Sequence, residues 1–249
     1  MNVIPIKTKI VTGEDRLEDI LSLYLPPLQD KSIVAITSKI ISICQGRVVS
    51  KSSCNKKDLI SSEADYLLES DHNPYDISLT VKNGILIPSA GIDESNGDDV
   101  YILYPENIQQ TAKDIWHHLK RINKIEHLGV IITDSHTTPM RRGVTGISLG
   151  WCGFKPIYSY IGKPDIYNTP LKVTQINILD ALATSAVFMM GEGNEVTPIA
   201  VISDAPKIEF TKTTPTDEEV KSIAISMDDD LYAPILQSAR WIPKNSNQA

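Results

Sequence analysis

Cysteine is scarce in this sequence: Cys44, Cys54 and Cys152 form an odd, scattered set with no CxxC pair. They support neither a disulfide framework nor a thiolate zinc site, and they fit a reducing compartment. Long apolar runs are missing as well. No segment approaches the ~20 apolar residues of a membrane-spanning helix. Met1 to Lys9 lacks the apolar core of a signal peptide, so a cytoplasmic protein is expected. Positive charge is short: 24 Lys and Arg against 31 Asp and Glu leave a net charge of -7. That balance argues against broad nucleic-acid or anionic-membrane binding, while leaving room for a local basic pocket. No internal repeat or low-complexity tract is visible. A Walker A loop is absent too, and the spacing of Gly143, Gly146, Gly150 and Gly153 does not match a dinucleotide fingerprint.

What is present is an ordinary globular composition. With 249 residues and 41% hydrophobic content the chain can bury a sizeable core, as one large domain or two moderate ones. Alternating and continuous apolar runs predict strands at Val3–Thr8, Lys31–Thr37, Val100–Leu103, Gly129–Ile132 and Pro198–Ile202. Leu79–Val81 and Ile85–Ile87 read as a hairpin around the Asn83-Gly84 turn. Helical spacing predicts helices over Asp15–Tyr24, Asp58–Glu69, Asn107–Leu119, Ile176–Met190 and Asp217–Tyr232. Asn73-Pro74 is a break, Ala205–Thr216 reads as irregular, and a flexible tail is expected over 244–249. The class is α/β (α+β).

The stretch from Thr133 to Gly143 is the most informative. A buried strand ends in Asp134 and Ser135, and Arg141 and Arg142 follow. A carboxylate at a strand end can hold a cation while guanidinium groups meet anionic oxygens. Pro88 to Gly97 is a small-residue loop with Asp93, Glu94 and Asn96, whose oxygens suit Mg²⁺ or Mn²⁺. The same residues are also common turn formers. Asp93 and Asp134 form a paired-carboxylate metal site if their strands are neighbours. Ser38-Lys39, just past a buried strand, can reach phosphate oxygens, although such a lysine is more often solvated. His117 and His118 are adjacent on one helix and do not face one site; with His127 they read as surface or satisfied histidines. His136 stands alone inside the acidic stretch. After the last long helix, Met190 to Glu195 forms a glycine-rich loop in which Gly191 reads either as a helix cap or as a close approach to phosphate.

Taken together, the segments ITSKIISICQGRVV, GILIPSAGIDESN, LYPENIQQTAKDI, GVIITDSHTTPMRRGVTGISLG, YIGKPDIYNTPLKVT and FMMGEGN resemble the coenzyme F420-0:L-glutamate ligase (F420 gamma-glutamyl ligase) family over Ile4 to Ile202. The resemblance implies a two-domain F420 gamma-glutamyl ligase-like fold in an intertwined homodimer. It implies a GTP-dependent ligase that activates an acceptor carboxylate as an acyl phosphate and joins it to L-glutamate. Mg²⁺ or Mn²⁺ would sit at the phosphates and K⁺ would assist. By the same resemblance Asp93, Asp134, Ser135 and Glu192 are metal positions. Pro5, Ile6, Lys7, Thr8, Ser38, Lys39, Asn96 and the loop Met190, Gly191, Glu192, Gly193 and Asn194 are nucleotide positions. Lys39, Arg141 and Arg142 would offset phosphate charge in catalysis.

Departures from the family pattern cluster around the metal positions. Ile43 replaces a second lysine, and Thr137, Thr138 and Met140 replace a glycine, an arginine and a tryptophan. Ala181 replaces a glutamate, although Asp180 is kept. These changes point to altered acceptor recognition, with either F420-0 or a reduced folate (dihydrofolate or tetrahydrofolate) as the acceptor. Two other readings compete: a flavoprotein, ranked low because no flavin-domain extension follows Gly193, and a catalytically silent nucleotide- or metal-binding protein.

Overall fold

A computed structural model describes residues 1–69, 75 and 77–244. The chain opens with strand β1 (Asn2–Ile6), helix α1 (Leu17–Tyr24), β2 (Ser32–Thr37) and α2 (Ser38–Cys44). Next come β3 (Val48–Ser50), α3 (Lys56–Glu63), β4 (Tyr66–Leu68), the hairpin β5 (Leu79–Lys82) and β6 (Ile85–Pro88), and β7 (Val100–Ile102). The third part holds α4 (Ile108–Asn123), β8 (Leu128–Thr137), β9 (Val144–Cys152), β10 (Ile157–Ser159) and β11 (Gln175–Asn177). It is followed by α5 (Ile178–Met190), β12 (Ile199–Ser203), α6 (Asp217–Lys221), α7 (Ala233–Leu236) and β13 (Trp241–Pro243).

The main sheet has the order β1-β12-β2-β8-β9, with β2 and β8 parallel and every other neighbour antiparallel. Strand β2 is apolar almost throughout because both of its faces are covered. Val34 and Ile36 join Val130 and Ile132 in packing against Ile115, Trp116 and Leu119 of α4 and Ile20 and Leu21 of α1. Ile33 and Ala35 face the other way, toward Leu182, Ala183 and Ala186 of α5. The sheet is therefore the middle of three layers. A third, smaller core gathers Ile60, Ala64, Ala90, Ile92, Tyr101 and Leu103. It lies beside the sheet β13-β4-β5-β6 and the pair β3-β7.

Helix α5 comes unusually close to the sheet. A Cβ on Gly146 of β9 would lie 2.5 Å from the Ala183 carbonyl oxygen and 2.7 Å from Thr184 Cα. The Thr184 hydroxyl donates to the Gly146 carbonyl across that contact at 2.8 Å. Gly146→Ala is expected to push the helix away and to cost about 1–3 kcal/mol, the range for overpacking a filled interior. Urea denaturation measures it, and unchanged stability would contradict the close packing.

Three expectations need correction. The helix over Asp58–Glu69 stops at Glu63, and Tyr66–Leu68 becomes a strand because β5 and β13 pair with it on either side. The glycine-rich run, to which no element was assigned from sequence, forms β9, held by its register with β8. The polar stretch after Thr133 likewise continues β8 to Thr137. The helix over Asp217–Tyr232 shrinks to Asp217–Lys221, which has a capping box at Thr216 and Glu219 but buries no residue. The Asn73-Pro74 break and tail residues 245–249 lie outside the described residues. Lys244 is tied by its backbone N–H to the Asp65 carbonyl at 2.9 Å. Among the described residues no helix is long and apolar enough to cross a membrane.

Candidate active site

The parallel pairing of β2 and β8 brings their carboxyl ends to one edge, with Thr37 opposite Thr133. Clefts at such edges are where open α/β sheets bind ligands. Past Thr37 the chain turns into α2, whose first turn is started by the Thr37 hydroxyl accepting from the Lys39 backbone N–H at 3.4 Å. Past Thr133 the chain stays extended and presents Asp134 and Ser135. A register shift between Ile132 and Thr133 marks the point where the strand leaves the fully buried sheet interior.

The third contributor arrives from the smaller core. Asp93 is pinned by a two-way backbone bridge to Ile102, each bond 2.9 Å long. Its carboxylate accepts from the Ser95 backbone N–H at 2.7 Å and the Ser95 hydroxyl at 2.8 Å. The Lys39 ammonium lies 2.6 Å from its other oxygen. Lys39 also donates to the Ser95 carbonyl and hydroxyl. The fourth contributor is the loop after α5. Gly191 sits at φ 79, ψ 171, outside the regions open to other residues. The Asn96 amide donates to the Gly193 carbonyl at 3.3 Å and so ties this loop to the Asp93 loop. The Ser135 hydroxyl lies beside the Glu192 carboxylate and favours its charged form.

The electrostatics follow from Lys39 standing among Asp93, Asp134 and Glu192. Burial alone would push the Asp93 carboxyl up, but Lys39 and the Ser95 hydrogen bonds outweigh it and hold it below the ordinary carboxylate value. Asp134 keeps a partly open face but is ringed by protein. That desolvation pushes its carboxyl up to about 6, with the Asp93 charge adding to the effect against the pull of Tyr104, the Ser135 backbone and Lys39. Glu192 is raised by desolvation, with Asp93 and Glu195 adding to it against Lys39 and Ser135. Lys39 is committed to Asp93 and Ser95, and among the described residues no cation forms an ion pair with Asp134 or Glu192.

All four contributors line one cavity of about 430 Å³. Of the nucleotide positions, Thr8, Lys39, Asn96, Met190, Gly191, Glu192, Gly193 and Asn194 are on its wall, as are the metal positions Asp93, Asp134, Ser135 and Glu192. Pro5 and Ile6 are not: they pair with Ala200 and Ile199 inside the sheet. Lys7 is also off the wall, and Lys9, Ile10 and Val11 take that part of it. Ser38 is buried at the start of α2. Arg141 and Arg142 lie exposed at the tip between β8 and β9 and do not reach the cavity within this chain.

Two side chains escaped the sequence reading. Asp98 lines the cavity, as does Glu195 of the glycine-rich loop already singled out. Tyr104 touches Asp134 from beneath, its hydroxyl donating to Oδ2 at 2.7 Å. Asp98 stands in an acidic run and was the findable one.

The donors fit a hard cation in kind, since they are carboxylate and hydroxyl oxygens. Among the described residues no three His, Cys, Asp or Glu side chains converge as a ready cage. Magnesium is commonly held by one or two carboxylates together with substrate phosphates, and two free-facing carboxylates match that pattern.

Comparison with known proteins adds a specific likeness to this geometry. A family model described as F420-0:Gamma-glutamyl ligase matches residues 5–204. The chain belongs to the F420-0:gamma-glutamyl ligase family. It is 33% identical over 212 residues to the coenzyme F420:L-glutamate ligase of Methanosarcina barkeri, covering 78% of this chain and 80% of that one. The corresponding ligase of Methanococcus maripaludis strain S2 is 29% identical over 231 residues, covering 86% and 92%. That of Methanopyrus kandleri is 27% identical over 216 residues, covering 80% and 84%. Membership makes the chain a glutamate-conjugating ligase of the acid–amino-acid class and sets aside the catalytically silent reading. The match ends within two residues of the boundary read from the motifs, which is where β12 closes the main sheet.

Proposed function

We propose that this family member is a GTP-dependent γ-glutamyl ligase using the cavity at the ends of β2 and β8, with F420-0 as acceptor. The observation that carries the reading is the meeting of Lys39, Asp93, Asp134 and Glu192 with the Gly191–Asn194 loop around one cavity. An acceptor carboxylate oxygen takes the γ-phosphoryl group of GTP, and GDP leaves. The amine of L-glutamate then attacks the acyl carbon, the bond from carbon to the phosphate oxygen breaks, and phosphate departs as the amine loses its proton.

Asp93, Asp134, Ser135 and Glu192 would hold Mg²⁺ or Mn²⁺. Such an ion would supply positive charge that offsets the negative charge on the transferring phosphoryl group. K⁺ would assist. Lys39 moves from Asp93 to the phosphates when the nucleotide arrives, so its charge is already oriented before reaction. The glycine loop lets backbone approach the phosphates closely. The protein acts as a cytoplasmic homodimer of two subdomains per chain. The third core supports the subdomain division. The dimer is supported by the exposed Ile166, Tyr167 and Val173 of the arm between β10 and β11. A partner chain is also what could bring Arg141 and Arg142 to a cavity.

The test incubates the purified full chain with GTP or ATP, Mg²⁺ or Mn²⁺ and L-glutamate. Acceptors are F420-0, dihydrofolate and tetrahydrofolate, each followed by mass spectrometry for a product one glutamyl unit heavier. Extension of F420-0 with GTP is expected. Extension of a folate alone moves the acceptor to the reduced folates, and no extension of any acceptor rejects the reading.

A further inference from the structure

Tyr104 stands outside the cavity wall, yet it touches the carboxylate at the centre of the site. Its ring is 4% exposed, and its hydroxyl donates to Asp134 Oδ2 at 2.7 Å. Three features hold the ring where it is. The Arg47 guanidinium donates through Nε to the Tyr104 carbonyl at 3.2 Å. The Leu103 N–H donates to the Arg47 carbonyl at 3.0 Å. The ring also fills the space above Gly91, where a Cβ would lie 2.2 Å from Tyr104 Cζ. At φ 72 Gly91 adopts a conformation that side-chain-bearing residues avoid.

The position of Tyr104 in the chain gives this contact its meaning. Ile102, two residues before it, is the bridge partner of Asp93. The same short segment therefore fixes the backbone of one carboxylate and reaches across to hydrogen-bond the other, which sits on the main sheet. Asp134 has no competing side-chain donor of comparable rigidity: the lysine of the site is committed to Asp93 and Ser95. A carboxylate with one oxygen held from below presents the other in a fixed direction toward the cavity. Partners of this kind orient ligating side chains and tune the affinity of the site they serve.

We propose that Tyr104 is the positioning residue for Asp134, setting its orientation and its separation from Asp93 so that the pair can share a divalent cation with substrate phosphate. The inference rests on the ligase reading of the cavity and goes beyond it by assigning a role to a residue that is not on that cavity's wall.

The experiment compares wild type, Tyr104→Phe and Asp134→Asn by titrating Mn²⁺ in the presence of GDP and following free Mn²⁺ by electron paramagnetic resonance. Phenylalanine keeps the ring over Gly91 and removes only the hydroxyl. The expected result is a Mn²⁺ dissociation constant raised about 10–100-fold, the range for losing such a partner. Metal-free thermal unfolding should shift little. In turnover the apparent KM for metal should rise, with kcat recovering to within about threefold of wild type at saturating Mn²⁺ because only positioning is lost. A hydroxyl that merely satisfies the core would lower the melting temperature and leave Mn²⁺ affinity within twofold of wild type, and that outcome overturns the proposal. If Asp134→Asn also leaves Mn²⁺ affinity unchanged, the carboxylate is no ligand and the reading of the cavity itself fails.

Discussion

Asp134→Asn is expected to lose ligase turnover by about 10³-fold or more, a size in keeping with removing a group that stabilises charge in a phosphoryl-transfer transition state. Its metal-free form should unfold no more easily than wild type at neutral pH. The two halves of that expectation have the same cause. Asn keeps the shape of the side chain and an oxygen that can accept from the Tyr104 hydroxyl, but it removes a charge that the surroundings oppose. Desolvation and the nearby Asp93 push this carboxyl up to about 6, above the ordinary value near 3.8. The folded state therefore binds the proton more tightly than the unfolded chain does. By linkage, the contribution of this group to stability falls as pH rises from about 4 to about 6 and stays low above that window. Removing the carboxyl should remove that dependence. Metal needs the deprotonated form, so metal affinity in the wild type should rise with pH through about 6. Initial rates at saturating metal, with thermal unfolding at pH 5 and pH 7.5, read both halves. An Asn variant retaining a tenth of wild-type turnover would remove Asp134 from the site.

Lys39→Met should lower kcat/KM by about 10²–10³-fold, the usual scale for losing one preorganised electrostatic partner. Methionine keeps much of the stem and removes the cation that contacts Asp93. In the metal-free protein Lys39 holds the Asp93 carboxyl below the ordinary value against the opposing effect of burial. A carboxyl lowered in this way contributes stability above the unfolded pKa, and that contribution is lost as pH falls through the folded value. Without the lysine, only the Ser95 hydrogen bonds oppose burial at Asp93, so the variant should melt below wild type at pH 7 and approach it at acidic pH. Lys39→Arg should restore the melting temperature more fully than it restores turnover. A planar guanidinium can neutralise Asp93, but it does not replace a compact ammonium at a phosphate. Equal recovery of both quantities would show that Lys39 serves the fold rather than the nucleotide.

Much of the scaffold was legible because its elements carry their own signals. Strand β2 and the first half of β8 are unbroken apolar runs, which is what burial on both faces demands. Helix α4 shows its apolar stripe at Ile108, Ala112, Ile115, Trp116 and Leu119. Elements that depend on distant partners were not legible. Strand β9 is rich in glycine, a poor strand former; it is extended because β8 pairs with it and α5 needs the missing side chain at Gly146. Residues Tyr66–Leu68 follow a helix without a break and become a strand only through β5 and β13. The helical spacing after Asp217 yields only one short helix because no residue of that segment is fully buried and only Val220 and Ile223 lean on the core, and isolated helices of that length are marginal in water.

The candidate site divides in the same way. Residue type and local order by themselves marked candidates: carboxylates at Asp93 and Asp134, a Ser38-Lys39 pair past a buried strand, and a glycine-rich loop after the last long helix, to which the family resemblance added Ser135 and Glu192. Those are short-range features, each set within a few residues of a strand end or helix end. Only the tertiary structure decided which of them meet. It joined Asp93 to Asp134 through Tyr104, gave the one lysine to Asp93, and placed Lys9 to Val11 on the wall instead of Pro5 to Lys7. It also left Arg141 and Arg142 at an exposed tip. The reason is physical: a side chain's ligand chemistry is local, but its distance to another charge is set by strand pairing and packing between residues far apart in the chain.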